Sequence, residues 1–412
     1  MKLLLLFHRL PYPPNKGEKI RYYHFLRGLA ARHDVVTGSI AETSDSADDI
    51  SHVARLSKQS KTVVMSALDR RLAFARALAT GKALSLAPFE SAELQAWVDE
   101  TLSRGDIDCV LACSAAMGGF VEKARVPPRR FVMDFVDMDS DKWDQYARTA
   151  RWPLSQLYRR EARLTLAAES SIAQRADASL FVSGTEVDDF VQRVPQAGGK
   201  VHAVENGVDA EYYDPDRDYA MPYSAEQSAP LVFVGTMDYL PNIDAVTWFA
   251  RSVMPLIRAR KPQATFHIVG ARPTAEVSRL GGLPGVFVTG AVPDVRPYVA
   301  WARVSVAPLR LARGIQNKVL EAMAMARPVV VTPAALAGID ATPGREVLLA
   351  NTEQEMASRV VQALDDPSAR ELGRAARRFV LGGFAWSAKI ARLEQFLQPA
   401  HAAPERAAAP GA

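Results

Sequence analysis

The chain has 412 residues, enough for two domains of about 200 residues each. Its composition, 48% hydrophobic and 23% charged, is that of an ordinary globular α/β protein. The net charge of +4 suits phosphorylated substrates or an anionic membrane surface but is too small for a nucleic-acid footprint, and no uncharged run of about 18 apolar residues is present to cross a membrane.

The first apolar run imitates a signal peptide. It stops after five residues at His8 and Arg9 with no small-residue cleavage site following, so it reads as the first strand. Six further runs follow it in the first half: DVVTGSI from 34, KTVVM from 61, DCVLAC from 108, RFVMDFV from 130, ASLFVS from 178 and KVHAVEN from 200. They alternate with amphipathic helical patterns, which predicts a mostly parallel sheet with helices on both faces. Ligands of such sheets bind at the carboxyl ends of strands. Cys109 and Cys113 lie in one apolar segment without nearby histidines and read as buried free thiols in a reducing compartment.

Four segments of this half carry candidate chemistry. After the first strand, PYPPNKGEKIRYY leads into a helix at about Glu18. Gly17 permits close backbone approach there, and Lys16, Lys19 and Arg21 surround the helix start. The plainer reading is a surface loop before a well-charged helix. Residues 68–89 combine Leu72, Phe74, Leu78 and Leu84 with Arg70, Arg71, Arg76 and Lys82. Together with the basic stretch from Arg148 to Arg163 they suit either an anionic leaflet or a solvated amphipathic helix. In DFVDMDSDKW, Asp134, Asp137, Asp139 and Asp141 cluster at a strand end. Three readings stand: an acceptor-binding wall formed by Asp137 and Asp139 with Arg21, a divalent-metal site, or capping of a helix near Ser140. Last, Ser183 and Glu186 form an S-x-x-E capping box, a structural feature.

Residues 205–230 are rich in turn formers, including Asn206-Gly207-Val208-Asp209, and place a domain boundary: residues 1–215, a linker at 216–229, and a second domain from 230 to 384. The strand–helix alternation restarts with LVFVGTM, ATFHIVG, GVFVTG, VSVAPL, PVVVTP and EVLLA. None of its glycines forms G-x-G-x-x-G or a P-loop, which argues against a dinucleotide oxidoreductase or a P-loop NTPase. Residues 385–399 read as a terminal helix and 400–412 as a disordered tail.

The most legible stretch is 304–331, VSVAPLRLARGIQNKVLEAMAMARPVVV, which reads as strand, basic loop, buried helix and strand. Lys318 and Glu321 sit three apart on an otherwise apolar helix. Its start at Ile315, preceded by Gly314 and near Arg310, Arg313 and Arg327, is suited to an anion such as a diphosphate. Glu321 could accept hydrogen bonds from sugar hydroxyls, as acidic residues do at ribose. Alternatively the two are a solvated i, i+3 pair.

The segment G-I-Q-N-K-V-L-E-A-M-A-M-A-R-P-V-V resembles the donor-site signature of the retaining glycosyltransferases of family 4, which have the GT-B fold. The resemblance implies two Rossmann-like domains facing across a cleft, with Lys318 on the donor diphosphate and Glu321 on the ribose. It also implies donor-facing roles for Gly17 and for Gly235, which is followed here by Thr236 and Met237 where relatives often have Arg. Arg310 or Arg313 would supply the positive charge missing after Gly235. Many members carry a further Glu where this chain has Arg313, and the role of that Glu at the sugar ring does not carry over. Phe384-Ala385-Trp386-Ser387 looks like the crossover of the last helix back to the N-terminal domain. The Asp137 run and the N-terminal loop resemble enzymes of exopolysaccharide gene sets associated with the PEP-CTERM/exosortase system.

The expectation is therefore a retaining, hexosyltransferase-type enzyme. It would move a sugar from a nucleotide diphosphate sugar to a lipid-linked or glycan acceptor in exopolysaccharide biosynthesis, without a cofactor or metal. It would be cytoplasmic, with peripheral contact at the inner leaflet as a further expectation and no nucleic-acid partner. A nucleotide-sugar epimerase of the same fold and a non-catalytic nucleotide-sugar binding or scaffold protein are the alternatives.

Overall fold

The apolar run at the chain start lacks polar alternation because both its faces are covered: Leu3 through Phe7 are all buried, the condition of a central strand in a parallel sheet. In this computed structural model, which describes residues 1–14, 17–224, 229–312 and 315–398, that run is β1 (Lys2–Phe7). The other strands of its sheet are β2 (Asp34–Glu42), β3 (Gln59–Met65), β4 (Cys109–Cys113), β5 (Phe131–Val136), β6 (Ala178–Phe181) and β7 (Val201–Ala203). They pair in the order β3-β2-β1-β4-β5-β6-β7, all parallel.

A second parallel sheet runs β10-β9-β8-β11-β12-β13. Its strands are β8 (Ala229–Val234), β9 (Ala264–Val269), β10 (Val286–Gly290), β11 (Val304–Ala307), β12 (Val329–Val331) and β13 (Leu348–Leu349). Each of the thirteen apolar runs of the sequence thus holds a strand, and each sheet has its own apolar core.

The chain divides into two compact units, Met1–Asn206 with Lys389–Ala412, and Gly207–Ala388. The division falls ahead of the 216–229 stretch read as a linker from its turn formers. Part of that stretch packs into the second unit: Tyr219 and Tyr223 are buried, and the Tyr223 hydroxyl donates to the Tyr298 carbonyl at 2.5 Å. Residues 225–228 and the 400–412 tail lie outside the described residues. The Trp386–Leu397 helix begins in the second unit and ends in the first.

Gly207 of the N-G-V-D turn has a local reason. A Cβ there would come within 2.8 Å of the Trp386 Cα, while the next residue, Val208, donates to the Phe384 carbonyl at 2.7 Å. The turn and the F-A-W-S segment are therefore one packing unit.

The capping box at Ser183 is only half formed. The Ser183 side chain accepts from the Glu186 amide at 3.2 Å, but the Glu186 carboxylate reaches instead to the Met138 amide at 2.7 Å.

Candidate active site

In the second unit, β8 and β11 are neighbours, and the loops at their carboxyl ends converge. The loop after β8 turns in little space. A Cβ at Gly270, whose φ is +150°, would stand 1.8 Å from the Gly235 carbonyl oxygen, and one at Gly235 would meet Asn242 Nδ2 at 2.7 Å. These glycines let Asn242, 3% exposed, donate through Nδ2 to the Thr236 carbonyl at 2.9 Å. Its Oδ1 then accepts from Lys318 Nζ at 2.5 Å, an amide orientation consistent at both ends.

Lys318 stands in the first turn of the Asn317–Ala324 helix, 4.6 Å from the centroid of the Phe233 ring. The helix begins two residues later than the Ile315 start read from the sequence; Ile315 itself packs on the core beneath Gly338. Burial lowers the Lys318 pKa to about 8, with Glu321 opposing the shift.

One turn on, Glu321 accepts a hydrogen bond from the Tyr213 hydroxyl. Burial raises its carboxyl above the ordinary range, against the pull of Tyr213 and Lys318. Arg377 fixes the segment carrying Tyr213, donating to the Tyr213 carbonyl at 3.1 Å, to Ala324 O at 2.5 Å and to Asp214 at 3.2 Å. The two charges are therefore held by separate neutral partners, Asn242 and Tyr213, and are not a solvated pair.

The arginines do not all gather there. Arg310 is bound to Asp244 through Nε at 3.0 Å and through Nη2, with Trp248 beneath it, so its charge already has a carboxylate partner. Arg327 lies past the other end of the helix, its Nε donating to Met325 O at 3.0 Å. Arg313 and Gly314 lie outside the described residues.

In the first unit the structure corrects the reading of Arg21 as an acceptor-binding residue. Its side chain is 0% exposed, as is that of Asp134. Nε and Nη2 donate to Asp134 at 2.8 and 2.9 Å, and Nη1 donates to Val204 O at 2.8 Å and Asn206 Oδ1 at 3.1 Å. The charge at the helix start is thus a buried structural pair. Gly17 opens the Gly17–Ala30 helix with open space where a Cβ would be, so no packing demands glycine there.

The acidic run divides in the same way. Asp134 is in the core, whereas Asp137 and Asp139 are half exposed and share Lys142, which donates to them at 3.1 and 3.0 Å. The D-M-D pair therefore brackets an ammonium. Burial opposes the Lys142 charge, but Asp139 and Asp137 outweigh it and raise its pKa.

The loop that carries these residues is strained. Val136 has φ +71° at the end of β5, and Ser114 has φ +77° just past the end of β4, conformations that cost non-glycine residues about 1–3 kcal/mol and cluster at functional sites. Two acids hold the Val136 loop in place. Glu186 accepts from Met138, and Glu169 accepts from the Ser140 amide at 3.2 Å and hydroxyl at 2.5 Å. Burial pushes the Glu169 carboxyl up to about 8, against the Ser140 bonds.

Sequence reasoning missed Asn242, Tyr213 and Glu169. A signal existed for the first, an Asn directly after Leu240-Pro241 at a helix start; Tyr213 and Glu169 reach their partners only through tertiary packing.

Residues 229–366 match the family of glycosyl transferases group 1. No curated protein matches the chain significantly. Among solved structures, sucrose-phosphate synthase from Thermosynechococcus elongatus is 16% identical with a TM-score of 0.62, covering 96% of this chain and 98% of that one. Anabaena HepE in complex with UDP-glucose is 16% identical with a TM-score of 0.62, covering 96% and 99%. A glycosyltransferase from Rickettsia africae ESF-5 is 11% identical with a TM-score of 0.62, covering 96% and 97%. At these identities the likeness establishes the fold, which is GT-B. Together with the group 1 match in its second unit, this makes the chain a glycosyltransferase.

Proposed function

We propose that the enzyme transfers a hexosyl group from a nucleotide diphosphate sugar to a lipid-linked or glycan acceptor, with retention of anomeric configuration, in exopolysaccharide assembly. The observation that carries the donor half is the Lys318 ammonium. It is held by neutral Asn242 at the start of a helix, where a diphosphate would find both a cation and a helix N-terminus. As the glycosidic bond breaks, charge accumulates on the leaving nucleoside diphosphate, and a preorganised ammonium stabilises that charge more in the transition state than in the ground state. Glu321, fixed by Tyr213, would accept from ribose hydroxyls. The structures of HepE with UDP and UDP-glucose favour a uridine donor. Retention follows the family resemblance and would proceed by attack on the face from which the diphosphate leaves.

The reaction is proposed to need no divalent metal, since the D-M-D carboxylates hold Lys142. Activity abolished by EDTA and restored by manganese would overturn that. A cytoplasmic site of action at the inner leaflet is favoured by the Ala67–Thr80 helix, which exposes Leu68, Leu72 and Leu78 by 64, 54 and 60% beside Arg71 and Arg76. Among the described residues no helix is long and apolar enough to cross a membrane. The deciding experiment is incubation with a panel of nucleotide sugars, following melting temperature, nucleotide release and the anomeric configuration of the product by NMR. A protein that is neither stabilised by nor turns over any donor would remove the reading.

A further inference from the structure

A cavity of about 630 Å³ opens in the first unit among the Ala67–Thr80, Ala92–Ser103, Ala115–Glu122 and Leu154–Arg175 helices. That volume is in the range of small-molecule sites. Its interior is apolar, faced by Leu86, Ala116, Phe120, Leu164 and Ile172. Charges gather at the exposed edge, where Arg76, Lys82 and Lys123 stand with Glu90 and Glu122. Glu90 is shared by Lys82 at 3.0 Å and Lys123 at 2.9 Å, and Glu122 is paired with Arg175 at 3.4 Å. The edge therefore keeps an excess of positive charge.

One end of the cavity lies beside the carboxyl end of β4, the side of a parallel sheet where ligands bind. Ala115, one of its lining residues, directly follows the positive-φ Ser114. Phe89, at the end of the Ala87–Phe89 turn, packs edge-on against His8 just past β1, with ring centroids 5.0 Å apart.

Two adjacent glycines show that the space is not forced by packing. A Cβ at Gly118 would come within 2.8 Å of Ile172 Cγ2, so glycine is required there; at Gly119, which faces the cavity, nothing lies within 4 Å. Glycine weakens a helix wherever a larger residue would fit, and protein interiors otherwise close such apolar gaps. A larger side chain at 119 would strengthen the helix and fill the cavity.

We propose that this cavity binds the hydrocarbon chain of a lipid-phosphate acceptor, with the phosphate at the Arg76, Lys82 and Lys123 edge. The apolar interior recognises the chain, and the cationic edge the anionic head. What such a lipid would be doing there rests on the glycosyltransferase reading above.

The test is calorimetric titration of the full chain with farnesyl phosphate below its micellar concentration, with farnesol, inorganic phosphate and a short-chain phosphatidylglycerol as separate probes. Farnesyl phosphate should bind at least tenfold more tightly than each of the others, and Gly119→Leu should weaken it tenfold or more with no fall in melting temperature. Farnesol or inorganic phosphate binding equally well, or an affinity unmoved by Gly119→Leu, overturns the proposal. Phosphatidylglycerol binding as tightly as farnesyl phosphate also overturns it, in favour of a bilayer anchor. UDP-glucose binding is measured on the same samples. Lipid binding with no nucleotide-sugar binding leaves the cavity assignment standing and removes the donor reading, and the reverse result removes the cavity alone.

Discussion

Each unit places a cation in the first turns of a helix that follows a central strand, and the two cations have opposite fates. Arg21 meets Asp134, Val204 and Asn206 and is sealed from solvent. Among the described residues Lys318 meets the neutral Asn242 and the face of Phe233, with Glu321 one turn away held by Tyr213. A buried charge satisfied by an opposite charge has no capacity left for a ligand. A charge desolvated without a bonded counter-ion remains costly until an anion arrives, which is the ground for proposing that the second unit receives the diphosphate.

The comparison predicts its largest effect on stability. Arg21→Met should leave Asp134 buried and unpaired, costing about 3–5 kcal/mol, as read by urea denaturation, while the KM for donor in the surviving folded protein stays unchanged. A raised donor KM with little loss of stability would move Arg21 back into the ligand site. Lys318→Ala should do the reverse. Loss of one preorganised group aimed at developing charge costs about 10² to 10³ in kcat, with the urea midpoint little changed, and Glu321→Ala should chiefly raise the donor KM because ribose contacts do not change during reaction. Normal kinetics in both folded variants would show that the neutral-partner arrangement is structural after all.

The strands and the Asn317–Ala324 helix are legible in the sequence because parallel strands covered on both faces leave unbroken apolar runs, and Lys318 and Glu321 interrupt an apolar helix too regularly to be missed. Arg21 was misjudged for a physical reason. Position beside a helix start says where a cation begins but not where a long side chain ends, and only tertiary structure brings Asp134, 113 residues away, within reach. The acidic run was ambiguous for the same cause, since its four aspartates look equivalent in sequence while Asp134 is buried and Asp137 and Asp139 hold Lys142. Asn242 is marked only by its place at a helix start and Tyr213 lies in a turn-rich stretch, so the roles of both come from what they touch.

Asn242 offers a finer break. If it acts only by aiming Lys318, Asn242→Ala should lower kcat by about tenfold, within the roughly 1–3 kcal/mol for leaving a buried polar group unsatisfied. The double variant Asn242→Ala, Lys318→Ala should then be no slower than Lys318→Ala alone. Additive losses in that cycle would mean that Asn242 contacts the donor by itself.

The smallest effect is in pH, and it follows from the burial of the cation. Burial holds Lys318 near 8, below its ordinary 10.5, so the desolvated charge is a full cost to the free protein below about pH 8. That cost is relieved as pH rises from about 8 toward 10.5, because there the unfolded chain binds the extra proton, and this group's contribution to stability increases over that window. Donor affinity runs the other way. A bound diphosphate favours the ammonium and raises its pKa, so binding takes up a proton near pH 8. The Kd for UDP-glucose should be flat below about pH 7.5 and weaken above 8 by up to tenfold per unit. Lys318→Arg should bind more weakly overall yet lose the slope, since a guanidinium keeps its charge throughout this range. Calorimetry in two buffers of different ionisation enthalpy reads the proton uptake directly. A Kd independent of pH from 7 to 9, or a slope that persists in Lys318→Arg, would show that the diphosphate is not bound by Lys318.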